Sequence, residues 1–443
     1  MSTWTRSGAL FAACLALSPT ACDGGRAGGA EPVPSVAASA AAAEKAETTR
    51  ALALAKPGGA APVDGLIAAA EKAVRKNPDK IDNYLVLGRL WVRKARDTAD
   101  PGFYLNANAC ADVALDIDPR SRDAEALHGL VLLNDHKFAD AKDLAEKILR
   151  KDGANLLALI TLSDATLEMG DYDTATAAAQ RMNELKPNLP AYIRASHLKW
   201  LHGETKDAKE LVRLAYDARD QREPEPGAWV LVQGAMMFWN EGDYDGADKG
   251  FDLALRDETD YPAALVGKGR VALAKGDVAR AVDLLTKAYK ASPLVATAWL
   301  LGDAKEAAGD HAGAEATYAE VVKRGRQMDG RTLAQFLATK NRDAAEAVKY
   351  ALAEKSVRDD IYTEDAIAWA LYRAGRIPEA RVASDKAIRL GTKEARLLYH
   401  AGAIRIAAGD KAEGEKLVKE ALALNPKFDA TGAPEAAKLV AAE

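Results

Sequence analysis

The chain has 443 residues, 28% of them charged with a net charge of −5, and so lacks the basic balance that a nucleic-acid partner requires. Hydrophobic residues make up 49% but aromatics only 6%, a small-residue composition that suits a helix-rich protein. The three cysteines, Cys14, Cys22 and Cys110, are too few and too scattered for a disulfide framework.

The first segment, "MSTWTRSGALFAACLALSPTACDGG", sets one positive charge, Arg6, before an apolar run from Gly8 to Leu17. That run is too short to span a bilayer but has the length of a secretory h-region. Small residues then lead to Cys22. The segment resembles a bacterial lipoprotein signal, which implies removal of residues 1–21, acylation of Cys22 and attachment to a membrane facing the periplasm. Pro19 departs from that pattern, and simple secretion is the other reading. Residues 22–62 are rich in Ala, Gly and Pro with almost no large side chains, so they are expected to form a disordered tether. At that length it would reach roughly 35 Å root-mean-square. "GGRAGG" and "PGGAAP" are not phosphate loops, having neither a preceding strand nor a following Lys-Ser/Thr.

From Leu66 the chain is periodic. Gly170-Asp171-Tyr172, Gly242-Asp243-Tyr244, Gly276-Asp277, Gly309-Asp310, Gly375-Arg376 and Gly409-Asp410 stand in matching places. Their steps of 72, 34, 33, 66 and 34 residues give a unit of about 34. Each Gly can close a first helix in a left-handed turn, and each Asp can cap the second. Small residues recur early in the first helix (Gly88, Gly129, Ser163, Ser196, Ala235, Gly269, Gly302, Ala368, Gly402), and Pro78, Pro119, Pro187, Pro293 and Pro426 end units. This pattern resembles the tetratricopeptide repeat (TPR) family. The resemblance implies an all-α, right-handed superhelix of helix-turn-helix units, an α-solenoid. The array is expected over 63–428, with a lone leading helix, "LIAAAEKAVRKNP", and about nine repeats. Insertions interrupt it near 96–102, 217–227 and 325–341, and a capping tail covers 429–443.

Catalytic and metal constellations do not emerge. "EGDYDGADKGF" (241–251) spaces Asp243, Asp245 and Asp248 like cation ligands, but the fifth and twelfth loop positions hold Ala247 and Ala254. "GKGRVA" at 267–272 lies inside a repeat helix rather than after a strand, so it is no dinucleotide fingerprint. The six histidines are dispersed. The chain therefore reads as no enzyme, with no cofactor and no metal.

In the family, positions 2, 5, 9 and 12 of each first helix line the concave groove. By resemblance that places Trp229, Trp299, Trp369, Trp200 and Trp239 in the groove. Tyr372 and Tyr399 join them, with His197, Arg89 and Arg270 as polar neighbours. Trp, Tyr and Arg together have the composition of a binding hot spot. Position 5 carries no basic residue, which disfavours the family's carboxylate clamp and leaves an apolar-aromatic groove. The resulting expectation is a scaffold of the cell envelope, anchored by an N-terminal lipid, that binds a protein or peptide and helps assemble an envelope or secretion complex. A glycan-binding module and a cytoplasmic adaptor are the alternatives.

Overall fold

The computed structural model describes residues 36–441 apart from 60 and 99, with side chains from residue 44 onward. These residues form 23 helices and no strand. The chain divides into two units, Met1–Lys45 and Ala46–Glu443. The signal region and Cys22 lie outside the described residues.

Helix α1 (Val36–Ala53) is followed by α2 (Pro62–Lys76). Adjacent helix pairs then succeed one another. The first four are α3 (Ile81–Thr98) with α4 (Phe103–Ile117), α5 (Arg122–Asn134) with α6 (Phe138–Lys151), α7 (Leu156–Glu168) with α8 (Tyr172–Leu185), and α9 (Leu189–Leu201) with α10 (Thr205–Asp217). The next three are α11 (Pro224–Asn240) with α12 (Tyr244–Asp257), α13 (Pro262–Ala274) with α14 (Val278–Ala291), and α15 (Val295–Ala307) with α16 (His311–Met328). The last are α17 (Gly330–Thr339) with α18 (Ala344–Glu354), α19 (Ile361–Arg373) with α20 (Ile377–Ala387), and α21 (Ala395–Ala407) with α22 (Lys411–Leu424). Helix α23 (Gly432–Ala441) closes the array. The third insertion thus contains an extension of α16 to Met328 and the first helix of an additional short pair.

Four of the five turn aspartates behave as expected, while Asp410 makes no side-chain cap. Asp171, Asp243, Asp277 and Asp310 each accept a backbone N–H three residues on, capping the second helix of their pair. Asp245 and Asp248 pair with Lys275 and Lys268 at 2.6 and 2.9 Å, so the cation-like string is a cap flanked by ion pairs. Small residues let paired helices approach. A Cβ on Gly302 would come within 2.3 Å of the Tyr318 ring. Ser163 and Ser196 instead donate across the pair to the carbonyls of Ala175 and Ala208, at 3.1 and 2.7 Å.

The tether reading needs correction over its second half. Ala53 is fully buried, the Trp91 indole donates to its carbonyl at 3.1 Å, and Asn106 donates to the Leu52 carbonyl at 2.8 Å. Alanine has the highest intrinsic helix propensity, and a receiving surface built on Trp91 and Cys110 supplies the contact that composition alone does not reveal.

A superhelical turn brings distant units together. The Asp359 amide donates to the Glu168 carbonyl at 2.9 Å, and the Ile361 amide to the Tyr172 hydroxyl at 2.9 Å. Thr392 donates to the Leu201 carbonyl at 2.5 Å. Asn425, fully buried, donates to the Trp239 carbonyl and accepts from Tyr244, both at 2.7 Å. The partners are separated by 181 to 191 residues, about five and a half units of 34. Three consecutive Gly-containing turns, at 168–172, 201–203 and 239–244, therefore dock on three consecutive inter-unit loops. The buried Arg358 crosses the same seam to Glu168 at 3.2 Å, and Ile361 and Leu397 join the core of Ile193, Trp200, Leu201 and Met237. Each seam hydrogen bond contributes about 1 kcal/mol.

Gly203 shows why glycine serves this seam. Its φ is +74°, and a Cβ there would lie 2.6 Å from the Gly391 carbonyl oxygen, whereas at Gly276 (φ +83°) a Cβ would meet nothing within 4 Å. Gly276→Ala should therefore cost only the left-handed penalty of about 1 kcal/mol. Gly203→Ala should cost at least about 2 kcal/mol, since the docked loop must also shift. Urea unfolding of the two variants measures the difference, and equal losses would contradict the docking.

Candidate functional site

Inside the superhelical turn three cavities lie side by side and share lining residues. The first, about 430 Å³, lies between the α2–α3 region and the loops at 258–263 and 291–297, and includes Arg96, Glu225, Trp229 and Tyr261. The second, about 550 Å³, shares Arg96, Glu225 and Trp229 with it and adds Asp164, Arg194, His197 and Met237. The third, about 310 Å³, shares His197, Gln233 and Met237 with the second and ends against Trp200, Trp239, Arg270, Tyr362 and Arg396. Most of the lining of the second and third belongs to first helices of the pairs, the concave face that the repeat implies.

Trp229 stands where the first two cavities meet, with 38% of its surface exposed. Around it the lining is charged as well as apolar. Arg194 grips Asp164 with two hydrogen bonds of 2.8 and 2.6 Å. Tyr261 donates to Glu225 at 3.2 Å, and burial together with that carboxylate holds its phenol far above the usual range. Burial, reinforced by Glu225 and opposed by Arg93, pushes Asp97 above the usual carboxylate range. Burial pulls His197 below the usual imidazole value, against the opposing pull of Asp164 and Asp360. The two larger cavities are mainly apolar in their lining and the innermost is mainly polar, so charge is set into an interior that is largely apolar. Charged groups from the first insertion (Arg96), from the second (Glu225) and from a later unit (Arg396) enter it.

The ten residues singled out in the sequence fall into four places. Trp200, Trp229, Trp239, His197 and Arg270 converge on the cavities. Trp369, Tyr372 and Tyr399 form one aromatic cluster with His400. The Trp369 ring lies 3.9 Å from the imidazole and its indole donates to Thr339 at 3.1 Å. Tyr399 donates to Glu435 at 2.8 Å, so this cluster holds down α23. Trp299 meets Phe336 edge-on with centroids 5.6 Å apart, and Arg89 is exposed on α3. Arg96, Arg194, Glu225, Gln233, Tyr362, Glu394, Arg396 and Asp429 line the cavities but carry no local signature, because superhelical closure is what assembles them.

No family model matches the chain, and no curated protein matches it. Among solved structures, the chain is similar to human IFIT1, described as a dimer with PPP-AAAA, at 13% identity over 86% of this chain and 94% of that one, with a TM-score of 0.46. It is similar to yeast Tom70 at 14% identity over 86% and 96% of the two chains, with a TM-score of 0.39. It is also similar to PilW, described as a type IV pilus biogenesis factor, at 14% identity over 49% of this chain and 99% of that one, with a TM-score of 0.41. The architecture is an all-helical solenoid of successive helix pairs.

His197 has a lowered folded pKa, so the unfolded chain takes up its proton first as pH falls. Its contribution to stability is full above about pH 6.5 and declines below it, and the burial-lowered His128 and His136 act in the same sense. His197→Gln should flatten part of that decline in thermal melts between about pH 7 and 5. An unchanged pH slope would contradict the burial of a neutral imidazole here.

Proposed function

We propose that this protein is a non-enzymatic binding scaffold of the bacterial cell envelope, anchored through Cys22, that takes a segment of a partner protein into its interior channel. The observation that supports this is the row of cavities of about 430, 550 and 310 Å³ that share lining residues, with exposed Trp229 common to the first two. Cavities of this size accept side chains and short extended segments rather than a folded domain. The aromatic and guanidinium groups supply hot-spot chemistry, while mixed charge disfavours a nucleic-acid strand. Asp164, Glu168 and Glu225 stand among the arginines of the same wall and would face its phosphates. The lipid anchor rests on the N-terminal signal pattern and on small residues before Cys22. A partner held in the channel would be captured close to a membrane surface.

The test uses the full chain, expressed in a Gram-negative host fed a clickable palmitate analogue, with a photo-crosslinking residue at position 229. A matched control places that residue at Val382, which is 61% exposed and lies outside these cavities. Fatty-acid label that depends on Cys22, and crosslinks from 229 that 382 does not give, are expected. Crosslinks of equal pattern from both sites would overturn the channel reading, and label that persists in Cys22→Ala would overturn the anchor.

A further inference from the structure

The innermost cavity contains a charge that the protein does not neutralise by contact. Arg270, on α13, faces the 310 Å³ cavity, and its Nε is enclosed without a hydrogen-bond acceptor. Among the described residues no carboxylate comes within ion-pair distance of its guanidinium. Its close neighbour is the Trp239 ring, 5.7 Å from the guanidinium carbon to the ring centroid. The other charged groups of this wall are already engaged. Arg396 pairs with Glu394 at 3.2 Å, although its own Nε also lacks an acceptor. Asp429 accepts the backbone amides of Thr431 and Gly432 at 2.8 and 2.6 Å, at the start of α23. A guanidinium that turns its terminal nitrogens to a cavity, with its Nε enclosed and no carboxylate in contact, is complementary to an anion.

We infer that this cavity receives a carboxylate of the partner's peptide, as an acidic side chain or a chain end, on Arg270. The inference rests on the channel reading above and names the chemistry of its inner end. A guanidinium presents a planar fork that matches a carboxylate in two hydrogen bonds. Trp200, Trp239, Phe428 and Met236 form the rest of the wall and suit the hydrocarbon part of such a residue. Glu394 and Asp429 favour a singly charged carboxylate over a phosphate dianion, which they would repel. The site differs from the family's clamp, which needs basic residues at position 5. Arg270 follows the small residue Gly269 and stands at position 9 of its unit.

Tryptophan emission of the full chain can be titrated with N-acetyl-dileucine, with its C-terminal amide and with inorganic phosphate. The acid should shift the emission saturably and bind at least about 10-fold tighter than the amide, with phosphate weaker than the acid. Arg270→Gln should abolish the preference for the acid, while its melting temperature stays equal or rises, because an unpaired charge has been removed. Should that variant not fold, Arg270→Lys keeps the charge, loses the fork and should lose most of the preference. Equal binding of acid and amide, no binding of either, phosphate binding as tightly as the acid, or a preference that survives both substitutions would overturn the carboxylate assignment. Crosslinking from position 229 is independent of this charge, so the channel reading would stand or fall separately.

Discussion

The structure depends on the docking of one superhelical turn against the next. A solenoid of paired helices satisfies its backbone locally and needs only its neighbours, so nothing in the repeat itself requires residues 359, 392 and 425 to reach 168, 201 and 239. The seam does so with main-chain groups that would otherwise face water: the Glu168, Leu201 and Trp239 carbonyls at the ends of first helices, and the Asp359 amide ahead of α19. Helix C-terminal carbonyls have no intrahelical donors, and here a later unit supplies them. The apolar contacts of Ile361 and Leu397 with the Trp200 core reinforce those bonds.

Closure changes what the concave face can do. An open groove presents one side to a partner, whereas a closed turn surrounds it and lowers the dielectric around every charge inside. That accounts for the displaced titrations of His197, Asp97 and Tyr261, each driven first by burial. It also explains why the lining mixes opposite charges. Arg194 with Asp164 and Arg396 with Glu394 are ion pairs, and Arg270 stands apart because its surroundings leave it a cavity instead of a carboxylate. The concave aromatic residues divide accordingly. Trp200 and Trp239 wall the inner cavity, while Trp369, Tyr372 and Tyr399 stack beneath the terminal helix, where the array needs an end.

Much of this was legible in the residues. The Gly-Asp turns announced the helix pairs, their period and most of their caps. Counting from those turns reached Trp229, His197 and Arg270, because a groove-facing position is a property of one helix. It also reached Trp369 and Tyr399, whose neighbours are set by the end of the array rather than by their own helix. The seam was not legible. Its pitch follows from small rotations between units and from the insertions near 96–102, 217–227 and 325–341, and no local pattern marks Thr392 or Asn425 as cross-turn donors. Nor did an alanine-rich segment of low aromatic content announce that Ala53 would be covered by Trp91, because the receiving surface lies elsewhere in the chain.

The Asp359 amide offers the most direct measure of the closed turn. It stands just before the cap of α19, outside the helix's own ladder, and its hydrogen bond goes to Glu168 across the seam. Amide hydrogen exchange of the full chain, resolved at residue 359, therefore reports closure alone. A closed turn predicts exchange slowed by roughly 100-fold or more relative to an unstructured peptide, the protection expected of an interaction that opens only by sub-global unfolding. Exchange at the unprotected rate, with α19 itself protected, would show the turns apart and would contradict both the seam and the channel it encloses.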